Sequence, residues 1–245
     1  MSYIKDYSYK SDSMSAEARQ AETAASVYRN MYLWMTAGLL LTALSSFVVV
    51  DRIIHDGEFA EVFLGRGVFY GLMIGTLVLV FVLNGMLHRL SFMAATLLYI
   101  LYTVVMGAWL APVLLVYTES SVFQVFLITA GTFGGMALYG HVTKKDLSTV
   151  GRVAGMALWG IILASVVNIF MHSSMMEYII SYVGVALFCG LTMYDVQKFK
   201  EIIYSYGDQV DDNVRKIALI GALSLYLDFI NIFLFLLRIL GGRRD

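Results

Sequence analysis

Ile217-Ala-Leu-Ile-Gly-Ala-Leu-Ser-Leu-Tyr-Leu-Asp-Phe-Ile-Asn-Ile-Phe-Leu-Phe-Leu-Leu-Arg-Ile-Leu240 is long and apolar enough to cross a lipid bilayer, yet it carries a carboxylate, Asp228, near its middle. A membrane span needs about 20 mostly apolar residues. Apolar neighbours on both sides keep Asp228 from reaching either surface, so it must be protonated, paired or facing water. A charged aspartate at mid-bilayer costs about 2.5–3.5 kcal/mol on insertion scales, which makes an intramembrane acid a candidate ion or proton site.

Six further stretches of this kind precede it, at 31–50, 67–87, 92–117, 121–141, 150–171 and 178–197. With 59% hydrophobic and 14% charged residues, the chain has more apolar surface than one soluble core could hide. The fold class is therefore all-α, a polytopic membrane protein of seven spans. Residues 1–30 form a polar N-terminal segment, 31–240 the transmembrane domain and 241–245 a short basic tail.

Residues 15–30 are good helix formers and are expected to run into the first span as an interfacial helix along the cytoplasmic surface. No short apolar core with a small-residue cleavage site occurs in the first 30 residues, which argues against a cleaved signal peptide. Lys and Arg number twelve in the segments on the N-terminal side of the spans and five on the other. The positive-inside rule then places the N-terminus in the cytoplasm and the C-terminus outside, with the tail Gly241-Gly-Arg-Arg-Asp245 discordant. A re-entrant span would return the C-terminus to the cytoplasm.

Gly67, Gly71 and Gly75, and likewise Gly151 and Gly155, recur every four residues, the spacing that lets helix backbones approach closely. Pro112 removes a backbone hydrogen bond and is expected to kink the third span. Cys189 reads as a packing residue, and His55, His88, His141 and His172 as interfacial residues without paired metal-ligand spacing. Asp208, Asp211 and Asp212 do not follow the alternating ligand pattern of a calcium-binding loop, so 198–216 reads as a solvated connection.

A second acid, Asp195, lies in Gly190-Leu-Thr-Met-Tyr-Asp-Val-Gln197, near the end of the sixth span. The sixth and seventh spans are consecutive and antiparallel, so the two carboxyls can meet. At about 1.5 Å per residue, however, Asp195 sits much nearer the apolar boundary than Asp228. The levels match only if the sixth helix continues past 197, with Lys198 and Lys200 snorkelling and Phe199, Ile202 and Ile203 against lipid. Two like charges in low dielectric do not both stay ionised, so such a pair shares a proton and acts as a latch. Protonated, it holds the helices together; deprotonated, it forces them apart and exposes oxygen ligands of the kind calcium prefers. Arg89, at the cytoplasmic end of the second span, is the candidate counter-charge, its plainer reading being a positive-inside anchor.

Tyr28-Arg-Asn-Met31, Thr36-Ala-Gly-Leu-Leu-Leu-Thr42, Arg89-Leu-Ser91, Leu191-Thr-Met-Tyr-Asp-Val-Gln197 and Ala222-Leu-Ser-Leu-Tyr-Leu-Asp-Phe-Ile-Asn-Ile-Phe233 resemble the Bax inhibitor-1 family of transmembrane Bax-inhibitor-motif proteins, in particular its bacterial branch. The resemblance implies six helices wrapped around a central, acid-bearing seventh. It also implies a pH-sensitive calcium leak, with Asp195 and Asp228 as the di-aspartyl sensor, ion gate and calcium ligands, and Arg89 as the latch. No enzyme activity, resident cofactor or nucleic-acid partner is expected. Lipid, protons and calcium ions are the expected partners, a membrane-protein partner is a further candidate, and a bacterial inner membrane is the expected location.

Two other functions compete. Paired intramembrane acids also serve aspartyl proteases, but Asp228 follows Leu225-Tyr-Leu where a Gly-x-Gly-Asp motif would be needed. A non-transporting interaction protein, modulating a membrane protease or a stress response, would instead place function in the polar N-terminal segment.

Overall fold

A computed structural model describes residues 2–86, 89–206 and 212–244. The chain forms α1 (Ser2–His55), α2 (Gly57–Phe63), α3 (Arg66–Met86), α4 (Phe92–Val116), α5 (Glu119–Val142), α6 (Ser148–Met171), α7 (Ser174–Ser205) and α8 (Asp212–Leu240). Seven of these are long and apolar enough to cross a membrane. The short α2 was not expected from the sequence; its start is fixed by Asp56, whose side chain accepts from the Phe59 amide at 3.0 Å. Ser91 caps α4 through the Ala94 amide and Ser173 caps α7 through the Met176 amide. His172, left-handed at φ 50°, ends α6.

Two boundaries carry the architecture. The polar N-terminal segment and the first span form one unbroken helix, α1, and its packing against the bundle already begins at Ala24, Val27, Tyr28 and Met31. The sixth span continues to Ser205, the extension that the depth of Asp195 required. Phe199 and Ile203 on that extension are buried in protein, a correction to the lipid contact expected of them, because α8 and α1 cover this end of α7.

α8 occupies the centre, with α1, α4, α5 and α7 as its main neighbours. α3 packs chiefly on α4 and α6 on α7, so the wrap around the central helix has two layers. α1 and α4 run in parallel. Tyr99 OH donates to Trp34 O at 2.8 Å, Thr42 Oγ1 to Thr103 O at 2.9 Å and Ser45 Oγ to Val104 O at 2.8 Å. Gly107 permits that approach, since a Cβ there would run into the Thr42 carbonyl oxygen and the Ser45 side chain. α4 passes through Pro112 without ending there.

The close packing expected at Gly67, Gly71, Gly75 and Gly155 is not found: a Cβ at any of them would meet nothing within 4 Å. α3 turns other residues toward α4 and leaves its glycine stripe outside. Gly151, by contrast, lies against the Tyr194 ring.

Opposite faces of the bundle are tied separately. On one, Gln20 Nε2 donates to Tyr204 O at 2.8 Å, and the Tyr28 and His141 rings meet edge-on at 5.5 Å. On the other, the C-terminal tail is held at the α4–α5 junction. Thr118 N donates to Gly242 O at 2.9 Å, Arg244 N to Val116 O at 2.9 Å and Gly242 N to Ser121 Oγ at 2.7 Å. The two termini therefore emerge at opposite faces, as an odd number of spans requires. His88, Asp208 and Asp211 lie outside the described residues.

Candidate functional site

α7 and α8 pack antiparallel along their length. Phe199 meets Gly221 near one end and the Phe188 and Phe235 rings stand 6.0 Å apart nearer the other. Between these contacts the register brings Asp228 of α8 level with Thr192 and Asp195 of α7. The two carboxyls are close enough to act on each other electrostatically, and Thr192 lies within hydrogen-bonding reach of Asp228. The structure therefore brings together the two acids singled out from the sequence. The continuation of α7 beyond residue 197 makes this possible.

Asp228 is only 4% exposed, and its Oδ2 is buried with no hydrogen-bond partner. An unsatisfied buried carboxylate oxygen is costly, and among the buried side-chain atoms left without a partner this is the one that belongs to an acid. Thr192 Oγ1 donates to Phe188 O at 2.8 Å. In that rotamer the hydroxyl shows Asp228 only lone pairs, which suits a protonated carboxyl; rotated, it can donate to an ionised one. Asn231, one turn along α8, is half-buried and donates through Nδ2 to Leu227 O at 2.8 Å. Its side-chain oxygen is not committed by that bond.

Asp195 is half-buried, and the cation that acts on it is Lys198, one turn further along α7. The Lys198 ammonium lies 5.9 Å from the Tyr194 ring and 5.6 Å from the Phe199 ring. Arg89 stands exposed in the short connection between α3 and α4 and forms no ion pair with either acid among the described residues. It lies toward the same face as the end of α7, because α4 starts level with the part of α1 that reaches Tyr204.

Gln197 was not singled out from the sequence. Its Oε1 accepts from the Leu147 amide and its Nε2 donates to Lys145 O, both at 2.8 Å. Lys200 Nζ adds a bond to His141 O at 2.7 Å. The α5–α6 connection is thus clamped to α7 two residues beyond Asp195. In that connection Asp146 Oδ1 accepts from Ser148 N at 2.8 Å, and these Ser148 contacts hold its carboxyl below the usual carboxylate range. One sequence signal could have found Thr192: it precedes Asp195 by three residues and so shares its helix face. Nothing local marks Gln197, whose partners are about 50 residues away.

Among the described residues no group of three or more His, Cys, Asp or Glu is placed to hold a metal ion. Calcium takes six to eight oxygens. Asp195, Asp228 and the Thr192 hydroxyl beside them number fewer oxygens than such a shell needs.

The family model described as "Inhibitor of apoptosis-promoting Bax1" matches residues 24–245. The chain is 44% identical over 218 residues to the "Inner membrane protein YbhL" of Escherichia coli K12, covering 87% of this chain and 90% of that protein. It is 41% identical over 216 residues to a protein of Deinococcus radiodurans, covering 87% and 89% of the two chains. To the Lactococcus lactis protein YrjE it is 39% identical over 221 residues, covering 89% and 92%.

Proposed function

The chain belongs to the Bax inhibitor-1 family, and from that premise we propose that it is a pH-sensitive calcium leak of the membrane, gated by protonation of the Asp195–Asp228 pair. The observation that carries this reading is the burial of Asp228 at the α7–α8 interface, with Oδ2 unpartnered and Asp195 acting on it. A proton shared between the carboxyls joins α7 to α8. Loss of that proton leaves two negative charges, and at about 4 Å and an effective dielectric of about 20 these repel by about 4 kcal/mol. Separation of the helices then turns carboxylate oxygens toward a passing calcium ion. Arg89 is the proposed latch, engaging a carboxylate that has swung toward its face; Lys198 balances Asp195 in the closed arrangement. The proposed protein is a conduit, without enzymatic turnover or a resident cofactor. Its N-terminus faces the cytoplasm by the positive-inside rule, in a bacterial inner membrane like that named for the Escherichia coli relative.

Calcium flux into proteoliposomes across neutral pH tests this, comparing the wild type with Asp195→Asn, Asp228→Asn and Arg89→Ala. The leak is expected to rise with pH in the wild type, because the deprotonated pair is the open one. Both Asn variants should lose the dependence, and Arg89→Ala should shift it. A folded wild-type protein that passes no calcium at any pH sinks the leak and favours the interaction protein, which should then fail on removal of residues 1–25.

A further inference from the structure

Away from the acids, at the face that holds the C-terminal tail, α2, the start of α3 and the later turns of α4 form a small, open cleft of about 140 Å³. That is below the about 300–1,000 Å³ of sites that enclose a whole small ligand, and it suits the polar end of a larger molecule that lies mostly outside the cleft. Its lining includes Phe63, Arg66, Phe69, Tyr70, Trp109 and Pro112. The walls are aromatic, with the Phe69 ring 6.3 Å from Trp109 and 5.7 Å from Tyr70.

Among the described residues two polar groups here have no partner, and a third has lost its usual helical donor. The Trp109 Nε1 is buried and makes no hydrogen bond. Arg66, the first residue of α3, is exposed and has no carboxylate partner among the described residues. Pro112 has no N–H, so the Ala108 carbonyl loses its usual helical donor. A buried donor is costly unless something accepts from it. An acceptor that also carries negative charge would satisfy the indole and the guanidinium together.

We propose that this cleft binds one anionic phospholipid. Arg66 pairs with the phosphodiester of the headgroup, the Trp109 indole N–H donates to a phosphate or ester oxygen, and Phe63, Phe69 and Pro112 cover the glycerol and upper acyl chains. Position selects a lipid over a soluble anion. Pro112 lies four residues before the end of α4 at Val116, about 6 Å along the helix axis, which is headgroup depth. Tyr70 and Trp109 have the amphipathic rings that gather at that level. α3 itself is almost wholly turned outward, so a lipid seated here would also tie it to α4.

The test uses the full-length protein in phosphatidylcholine nanodiscs with increasing phosphatidylglycerol. It reads the fluorescence lost in Trp109→Phe, which isolates Trp109 from Trp34 and Trp159, and counts lipid retained in native mass spectrometry. The wild type should respond saturably to phosphatidylglycerol and retain one molecule of it. Arg66→Gln should need about tenfold more, the loss expected when one charged hydrogen bond is removed. Arg66→Lys should remain near the wild type, which separates charge loss from misfolding. An Arg66→Gln titration that overlays the wild type overturns the proposal, as does a site filled equally by phosphatidylcholine. A response reproduced by inorganic phosphate alone overturns it too, in favour of a soluble-anion site.

Discussion

Arg66–Gly85 in α3 and Val214–Leu240 in α8 have the same mean hydropathy, yet 67% of the most apolar window of α8 is buried in protein against 6% for α3. In a bilayer both positions satisfy an apolar side chain, because lipid tails are as apolar as leucine. Polar content and shape decide between them. α3 carries Thr76 and Asn84, which bond to their own helix, to Met73 O at 2.8 Å and Val80 O at 3.0 Å. α8 carries groups that need other helices. Tyr226 OH lies 2.7 Å from Thr42 Oγ1; since Thr42 spends its proton on Thr103 O, the phenol is the donor, and α1, α4 and α8 are linked by one chain of bonds. Asp228 lies against Asp195 and Thr192 of α7. Hydropathy therefore identifies what enters the membrane, and the polar minority identifies what goes to the centre.

The largest effect should come from emptying the inner helix. Leu225 on α8 has no exposure and Phe81 on α3 is 74% exposed. Leu225→Ala leaves a cavity that lipid cannot fill and should cost about 2–4 kcal/mol. Phe81→Ala exchanges a protein side chain for an acyl chain and should change stability by at most about 0.5 kcal/mol. Reversible unfolding in bicelles measures both. Equal losses would mean that α3 is as tightly held as α8 and would break the comparison.

A smaller effect separates close helix approaches from open ones. At Gly107 a Cβ collides with the Thr42 carbonyl and the Ser45 side chain, so Gly107→Ala must push α1 and α4 apart. The expected cost is about 1–3 kcal/mol. The same shift lengthens the Thr42 bonds to Thr103 and Tyr226, so slower exchange or an unchanged tyrosine near-ultraviolet signal in the variant would contradict the assigned contact.

The seven spans were legible because bilayer thickness sets their length and lipid sets their composition, both written locally in the chain. The acids were legible for the complementary reason: Asp195 and Asp228 stand out where charge is expensive. Even the continuation of α7 to Ser205 followed from requiring the two acids to share a depth. What could not be read was rotation. Nothing in Gly67, Gly71 and Gly75 says whether their stripe faces a helix or lipid, and it faces away from α4. Lys198 acts on Asp195 from one turn along the same helix, a local spacing, whereas Gln197 clamps Lys145 and Leu147 through the packing of α7 against the α5–α6 connection, which no local sequence announces.

Gly75→Ala on α3 gives the smallest expected effect and the sharpest control for Gly107→Ala. A Cβ at Gly75 meets nothing within 4 Å, so the substitution introduces no clash and removes no contact. What remains is the backbone. Glycine inside a helix is less favourable than alanine by about 0.5–1 kcal/mol, and Gly75→Ala should therefore stabilise the protein by up to about 0.5 kcal/mol, opposite in sign to Gly107→Ala. The same bicelle unfolding measures it. A destabilisation of the size expected at Gly107 would require the stripe to be in close contact after all, and the division between an inner α8 and an outer α3 would then have to be redrawn with α3 covered on both sides.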